Sequence, residues 1–495
     1  MSAKLTNRIW KSGAASALLI LGGCSLAPDY QRPEASLPAA LGLTAEEAEN
    51  PLAAESLEKW WELFGDEELN RWVEKALIAN GDLGEAAARI RESRALYGFE
   101  AAQLWPTLGV DGSATRTESA DYAVSSGTDN PLNQFGLSGL LSYEVDLFNK
   151  LGDSRDAAQE RLLSTSFAFY TLRNSLIAET VIAYYGLQSS VNQLALAKET
   201  IETRQQAVEF QQKRFDAGFS TELELQQSIA ELADGKVRVP QFEELILTYQ
   251  TSLLVLTGAD PIAFWKRDEF SDDPRELPAP PSVELDLIPA SLLERRPDIL
   301  SAESALKATY ESIGVAKAQR WPTLSLGALL GTSALEFGDL FTGPSKTWSV
   351  GAELTGPIFD FGRSKNRILA AEARQQEAFW IYQNTVREAF GEVSESILTL
   401  EQREDLVAAR ENQLKASSRL LDLAKEQYDE GFSEYIDYLD AERQSFEAEL
   451  TLEESRLRRL SAAVNLFKAL GGGWTGALDA SALEPFEPVG DEDDQ

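Results

Sequence analysis

Two passages of this 495-residue chain alternate apolar and polar residues one by one, and two others repeat apolar residues at every seventh position. In the first alternating passage Leu137, Gly139, Leu141, Tyr143, Val145 and Leu147 interleave with Gly136, Ser138, Leu140, Ser142, Glu144 and Asp146, and only Leu140 breaks the pattern. In the second, Trp348, Val350, Ala352, Leu354 and Ile358 interleave with Ser349, Gly351, Glu353 and Thr355. A period of two is the signature of a strand with one apolar face. Leu108 and Val110, and later Leu324, Leu326, Ala328 and Leu330, begin the partner strands. Hairpins are therefore predicted over 107–148 and 323–359, each with a long Gly/Ser/Asp-rich connection.

The seven-residue ladders are Leu187, Leu194, Ile201, Val208, Phe215 and Leu400, Val407, Leu414, Leu421, Tyr428. Such a repeat keeps one seam of a helix facing a partner and imposes a left-handed supercoil. From Arg155 to Phe215 there is no proline and one glycine, so the spacing predicts roughly 90 Å of helix. The chain turns at Gly218 and again at Gly431, where glycine suits a left-handed cap, and a second helix returns to Gly258 or Gly471. Pro240 is expected to kink the first return helix.

The two ladders superimpose at a shift of 213, which also pairs Gly218-Phe219-Ser220 with Gly431-Phe432-Ser433. Trp105-Pro106-Thr107-Leu108 recurs as Trp321-Pro322-Thr323-Leu324. In each copy a helical stretch, Asp66 to Leu104 or Pro289 to Arg320, precedes Trp-Pro, where proline ends it. The plan is two tandem repeats, 61–260 (helices 150–258) and 289–473 (helices 363–470). A linker or equatorial segment at 261–288 joins them, and an acidic tail runs over 474–495.

The start of the chain reads as an address. Lys4, Arg8 and Lys11 precede an apolar run from Ala14 to Leu21, too short to span a bilayer, and Leu21-Gly22-Gly23 leads to Cys24. This pattern resembles a bacterial lipobox, which implies a signal peptide over 1–23, N-acyl and diacylglycerol lipid on Cys24, and a tether over 24–60. Ser25 after the cysteine favours export to the outer membrane.

Composition narrows the function. Cys24 is the only cysteine, and there is no histidine, so disulfides, thiolate clusters and the commonest general base are absent. No enzyme, cofactor or resident metal is expected. The net charge of −35 becomes −38 without residues 1–23, which leaves 42 basic against 80 acidic residues. That excess disfavours nucleic-acid binding, and it fits either a cation-favouring lumen or an acidic solvated surface.

Four strands cannot close a barrel, and lipid tolerates no unpaired sheet edge. Several chains must pool their hairpins, because the smallest single-chain barrels have about eight strands. The charged helices are taller than a bilayer is thick and must stand outside it.

Together these residues resemble the TolC/OprM-type outer-membrane factors, in the lipoprotein branch that serves resistance-nodulation-division pumps. The most specific segments are Leu292-Leu-Glu-Arg-Arg-Pro-Asp298, Ile313-Gly-Val-Ala-Lys-Ala318 before Trp321-Pro322, Tyr143-Glu-Val-Asp-Leu-Phe148 and Gly356-Pro-Ile-Phe-Asp-Phe-Gly362. The resemblance implies a mainly α fold with transmembrane β: a homotrimeric twelve-stranded barrel continuous with a twelve-helix periplasmic tunnel. It implies a passive, gated exit duct for small solutes, with a periplasmic adaptor and an inner-membrane pump as partners. The turns at Gly218 and Gly431 become adaptor-docking tips, and Tyr428, Asp437 and Asp440 fall on the periplasmic gate. Ser433 stands where the best-known member has arginine, so that member's locking ion pair is not carried over. The competing readings are a protein-secretion duct of the type I kind and an adaptor lipoprotein without a pore.

Overall fold

The computed structural model describes residues 25–33, 57–120, 130–267, 269–281, 295–476 and 478. The expected signal peptide, Cys24, residues 34–56 of the tether and nearly all of the acidic tail lie outside the described residues.

The stretch expected as one helix from Asp66 to Leu104 is two, α1 (Glu67–Ala79) and α2 (Gly81–Ala102). Asn80 makes the break. Its backbone is extended, its side-chain oxygen accepts from Leu83 N at 3.0 Å, and its amide donates to Leu256 O at 3.0 Å. An N-cap residue of this kind satisfies a free N–H and starts a new helix.

Four strands follow from the alternation: β1 (Thr107–Thr117), β2 (Leu132–Val145), β3 (Thr323–Ala334) and β4 (Lys346–Thr355). They form one antiparallel sheet in the order β1-β2-β3-β4. The two predicted hairpins are thus fused along β2–β3, where Leu140 lies opposite Leu329 and Tyr143 opposite Leu326. β4 ends at Thr355 rather than near 359; Ile358 stands beyond it in full exposure. The register puts Leu108, Val110, Leu141, Leu326, Val350 and Leu354 on one face. The opposite face is mostly Gly, Ser and Thr. β1 and β4 each keep one edge without a strand partner.

The long helices come in two matched sets. α3 (Lys150–Asp216) and α7 (Arg363–Asp429) have 67 residues each, about 100 Å. α4 (Glu222–Leu256) and α8 (Tyr435–Ala469) have 35 each. Every boundary of the second set lies 213 positions after the first, the shift that aligned the ladders. Between α4 and α7 come α5 (Ala263–Lys266) and α6 (Pro297–Ala318). α4 runs on through Pro240 as one helix. Among the described residues no helix is long and apolar enough to cross a membrane.

α6 starts at Pro297, with proline at its first turn, where a missing N–H costs nothing, and Pro289, from which the helix was expected, lies outside the described residues. Arg296 just before it bridges Asp298 and Glu392 and donates to Ala469 O at 2.6 Å. The Arg-Arg-Pro-Asp segment therefore joins the start of α6 to the carbonyl end of α8, where a cation is favoured. Nearby, Trp60 stacks on Phe467 at 5.3 Å in a core that also takes in Ile177, Tyr185, Leu306 and Leu466. This core lies at the end of the return helices remote from the turns and fixes both helical hairpins, α3–α4 and α7–α8, there.

Candidate functional site

Away from that core the ladders lose apolar burial. Leu187, Leu400 and Val407 are buried, Leu194, Ile201 and Val208 only half so, and Phe215 is exposed. At the turns Gly218 (φ +75°) and Gly431 (φ +81°) are left-handed, with open space where a Cβ would stand. Backbone conformation, not crowding, requires glycine there. The next residues, Phe219 and Phe432, are 77 % and 80 % exposed.

Tyr428 does more than end the seam. Its hydroxyl accepts from Gln211 Nε2 at 2.7 Å and Arg214 Nη1 at 2.8 Å, bonds that join α7 to α3. Its ring stacks on Tyr438 and lies against Tyr435, with the Arg214 guanidinium over its face. Asp437 is exposed but engaged, since its carboxylate accepts from Glu434 N at 3.3 Å in a capping box that starts α8. Asp440 is exposed and accepts from Arg443 at 3.0 Å. Within one protomer neither carboxylate is free of a partner. Tyr428 and the two aspartates flank the turn at Gly431.

A larger network lies further along the helices, and sequence reading missed it. Arg204, 4 % exposed, grips both carboxylate oxygens of Glu442 at 3.0 and 3.1 Å and donates to Glu231 O at 2.7 Å. Glu231 is itself paired with Arg443, and Arg238 with Glu447. Arg204 and Arg238 both lie over the Phe446 ring. Bonding to Glu231 drives the Arg443 pKa upward. One cluster, buried at Arg204, Glu231 and Glu442, thus ties α3 and α4 to α8. The signal was present in the sequence: Arg204 and Gln211 sit seven apart, each three residues beyond a seam position, where a heptad calls for an apolar side chain.

The family model described as outer membrane efflux protein matches twice, over residues 72–259 and 288–472. The chain belongs to the outer membrane efflux protein family. It is 35 % identical over 472 residues to outer membrane protein OprJ of Pseudomonas aeruginosa, covering 93 % of this chain and 95 % of that one. The probable outer membrane lipoprotein SilC of Salmonella typhimurium is 29 % identical, with 93 % and 98 % covered. Among solved structures, the Campylobacter jejuni CmeC outer membrane channel superposes with a TM-score of 0.84 at 28 % identity, covering 92 % of this chain and 97 % of that chain.

In this family member the residues after Cys24 lie against the body near the sheet. Ser25 Oγ donates to Asp153 at 2.9 Å in the first turn of α3, and Lys317 donates to Leu26 O at 3.3 Å. Tyr30 bonds Glu303 at 3.2 Å and packs edge-on to Tyr310. Close by, burial together with Asp153, Asp156 and Glu160 pushes Glu311 up to about 7. Among the described residues no group of His, Cys, Asp or Glu could hold a metal ion.

Proposed function

We propose that the protein is the outer-membrane exit duct of a tripartite efflux pump, a gated homotrimeric tunnel that conducts small solutes passively. The two open edges of the sheet carry the reading. One face is apolar and the other small and polar, yet β1 and β4 each lack a neighbour. Lipid cannot solvate those edges. Joining β4 of one copy to β1 of the next satisfies them, and three copies give a barrel wide enough for solutes. The paired helix lengths and the twice-matched family model support two tandem repeats per chain, so that the helices of three copies continue the barrel as a periplasmic tunnel.

In this arrangement Cys24 carries the lipid, and Ser25 at Asp153 holds the anchor at the membrane-proximal end of α3. The turns at Gly218 and Gly431, with Phe219 and Phe432 presented, meet a periplasmic adaptor, and an inner-membrane resistance-nodulation-division pump drives transport. Tyr428, Asp437 and Asp440 form the periplasmic iris, and the Arg204–Glu442 network holds the two hairpins together above it. The chain has no catalytic role and no cofactor beyond its lipid.

Purified protein in detergent is expected to have three times the chain mass by light scattering and to conduct ions in planar bilayers. A folded, detergent-free monomer without conductance refutes the reading.

A further inference from the structure

Leu140 breaks the polar face in the middle of β2, away from the terminal Leu132, and the register pairs it with a second leucine. It stands directly opposite Leu329 of β3, on the same polar face. The rest of that cross-strand row is small, Gly109 on β1 beside Leu140 and Ser349 on β4 beside Leu329. Two leucines therefore rise from a floor of small residues, their Cβ atoms about 5 Å apart. Leu140 keeps 37 % of its surface exposed. A polar face toward a water-filled channel gives no folding reason for such a pair, since leucine there loses the burial that rewards it on the opposite face.

Charge around the row is of one sign. Asp111, diagonal to Leu140, faces the same way from about 7–8 Å, and Glu353 lies on this face nearer the helices. No strand residue on the face is basic. Lys150 at the start of α3 is paired with Glu144, which lies on this face by register. Arg116 and Lys346 belong by register to the opposite face.

We infer that Leu140 and Leu329 form an apolar contact station in the barrel wall which, with Asp111, takes amphiphilic organic cations. The inference rests on the trimeric-barrel reading, in which threefold symmetry makes six leucines and three Asp111 carboxylates a band around the lumen. The leucines take the apolar body of the solute, and Asp111 takes its positive end at a distance that fits a quaternary ammonium with a short tail. Cargo of this kind dwells at the band, whereas a compact cation of equal charge passes.

The test uses full-length acylated protein in planar bilayers, with octyltrimethylammonium or tetramethylammonium added on the barrel side during recording in potassium chloride. The wild-type channel is expected to show current interruptions with octyltrimethylammonium and none with tetramethylammonium. In the double variant Leu140→Thr/Leu329→Thr, whose residues keep strand propensity, the dwell time falls by about five-fold, and potassium conductance is unchanged. Asp111→Asn shortens the dwell as well. Equal dwell times in wild type and double variant overturn the inference while leaving the channel intact, whereas absence of any potassium conductance in the wild type removes the channel reading itself.

Discussion

Replacing Arg204 by methionine removes the one cation that grips Glu442 while filling much of the same space. Glu442 then remains 9 % exposed without its bidentate partner. Glu231 keeps Arg443, so the loss falls mainly on a single carboxylate. Removing one member of a buried ion pair costs about 3–5 kcal/mol. Arg443 can swing part-way toward Glu442, so the lower end, about 3 kcal/mol, is the appropriate figure. Because the network spans α3, α4 and α8, that cost falls on the arrangement in which the two hairpins are clamped, and separation relieves it by hydrating Glu442. A shift of about 3 kcal/mol multiplies an opening constant by roughly 150. The expected outcome in planar bilayers is therefore an open-to-closed ratio that exceeds the wild type's by up to about that factor. The double variant Arg204→Met/Glu442→Leu leaves no orphaned charge and should return most of the way toward closed behaviour, a non-additivity that a general loss of packing would not produce. If Arg204→Met keeps wild-type open probability, or if the double variant is more open than the single, the network does not hold the iris.

Three further outcomes follow from the same geometry. Neutralising both aspartates of the proposed gate, Asp437→Asn with Asp440→Asn, should weaken divalent-cation block in bilayers yet shift thermal stability by no more than about 1 kcal/mol, since asparagine can keep the cap and the Asp440–Arg443 pair is exposed; unchanged block removes these residues from the proposed iris. Glu311 holds its proton up to about pH 7 in the fold but titrates near 4.5 when unfolded, so the folded chain binds more protons between these values and stability falls as pH rises through that window. Glu311→Gln should accordingly raise the thermal midpoint at pH 8 by a few degrees, about 1 kcal/mol after solvent screening of a half-buried site, and leave it unchanged at pH 4.5; equal midpoints at pH 8 refute this. Gly431→Ala meets open space and pays only for its left-handed backbone, about 1 kcal/mol, whereas a Cβ on Gly258 would stand 2.2 Å from Ala79 O, so Gly258→Ala should cost several times more in urea denaturation; equal costs would mean that crowding is not the difference.

What the sequence revealed and what it hid divide along the range of the interactions concerned. Periodicities of two and seven are local, and they located the strands and long helices to within a few residues, because burial of one face repeats along each element. The fusion of the two hairpins is different in kind: Tyr143 against Leu326 is a pairing between residues 183 positions apart, and alternation fixes which face a residue takes without saying which strand lies beside it. The break at Asn80 was readable in principle, since Asn before Gly-Asp is a cap, but a run of helix formers on both sides outweighed it. The candidate gate shows a third case. Asp437 and Asp440 were found through a resemblance, and the structure gives each a local partner, Glu434 N and Arg443. Arg204 and Gln211 stand outside the ladders because a ladder is drawn through apolar residues, and these two are polar residues in a seam. A buried cation at such a position is disfavoured unless its partners arrive from other helices, here Glu231 from α4 and Glu442 from α8. The heptad defect is thus a record of tertiary structure left in the sequence: where a seam accepts arginine, a carboxylate must come from elsewhere, and the place where it comes from is where the two hairpins are held together by charge as well as by packing.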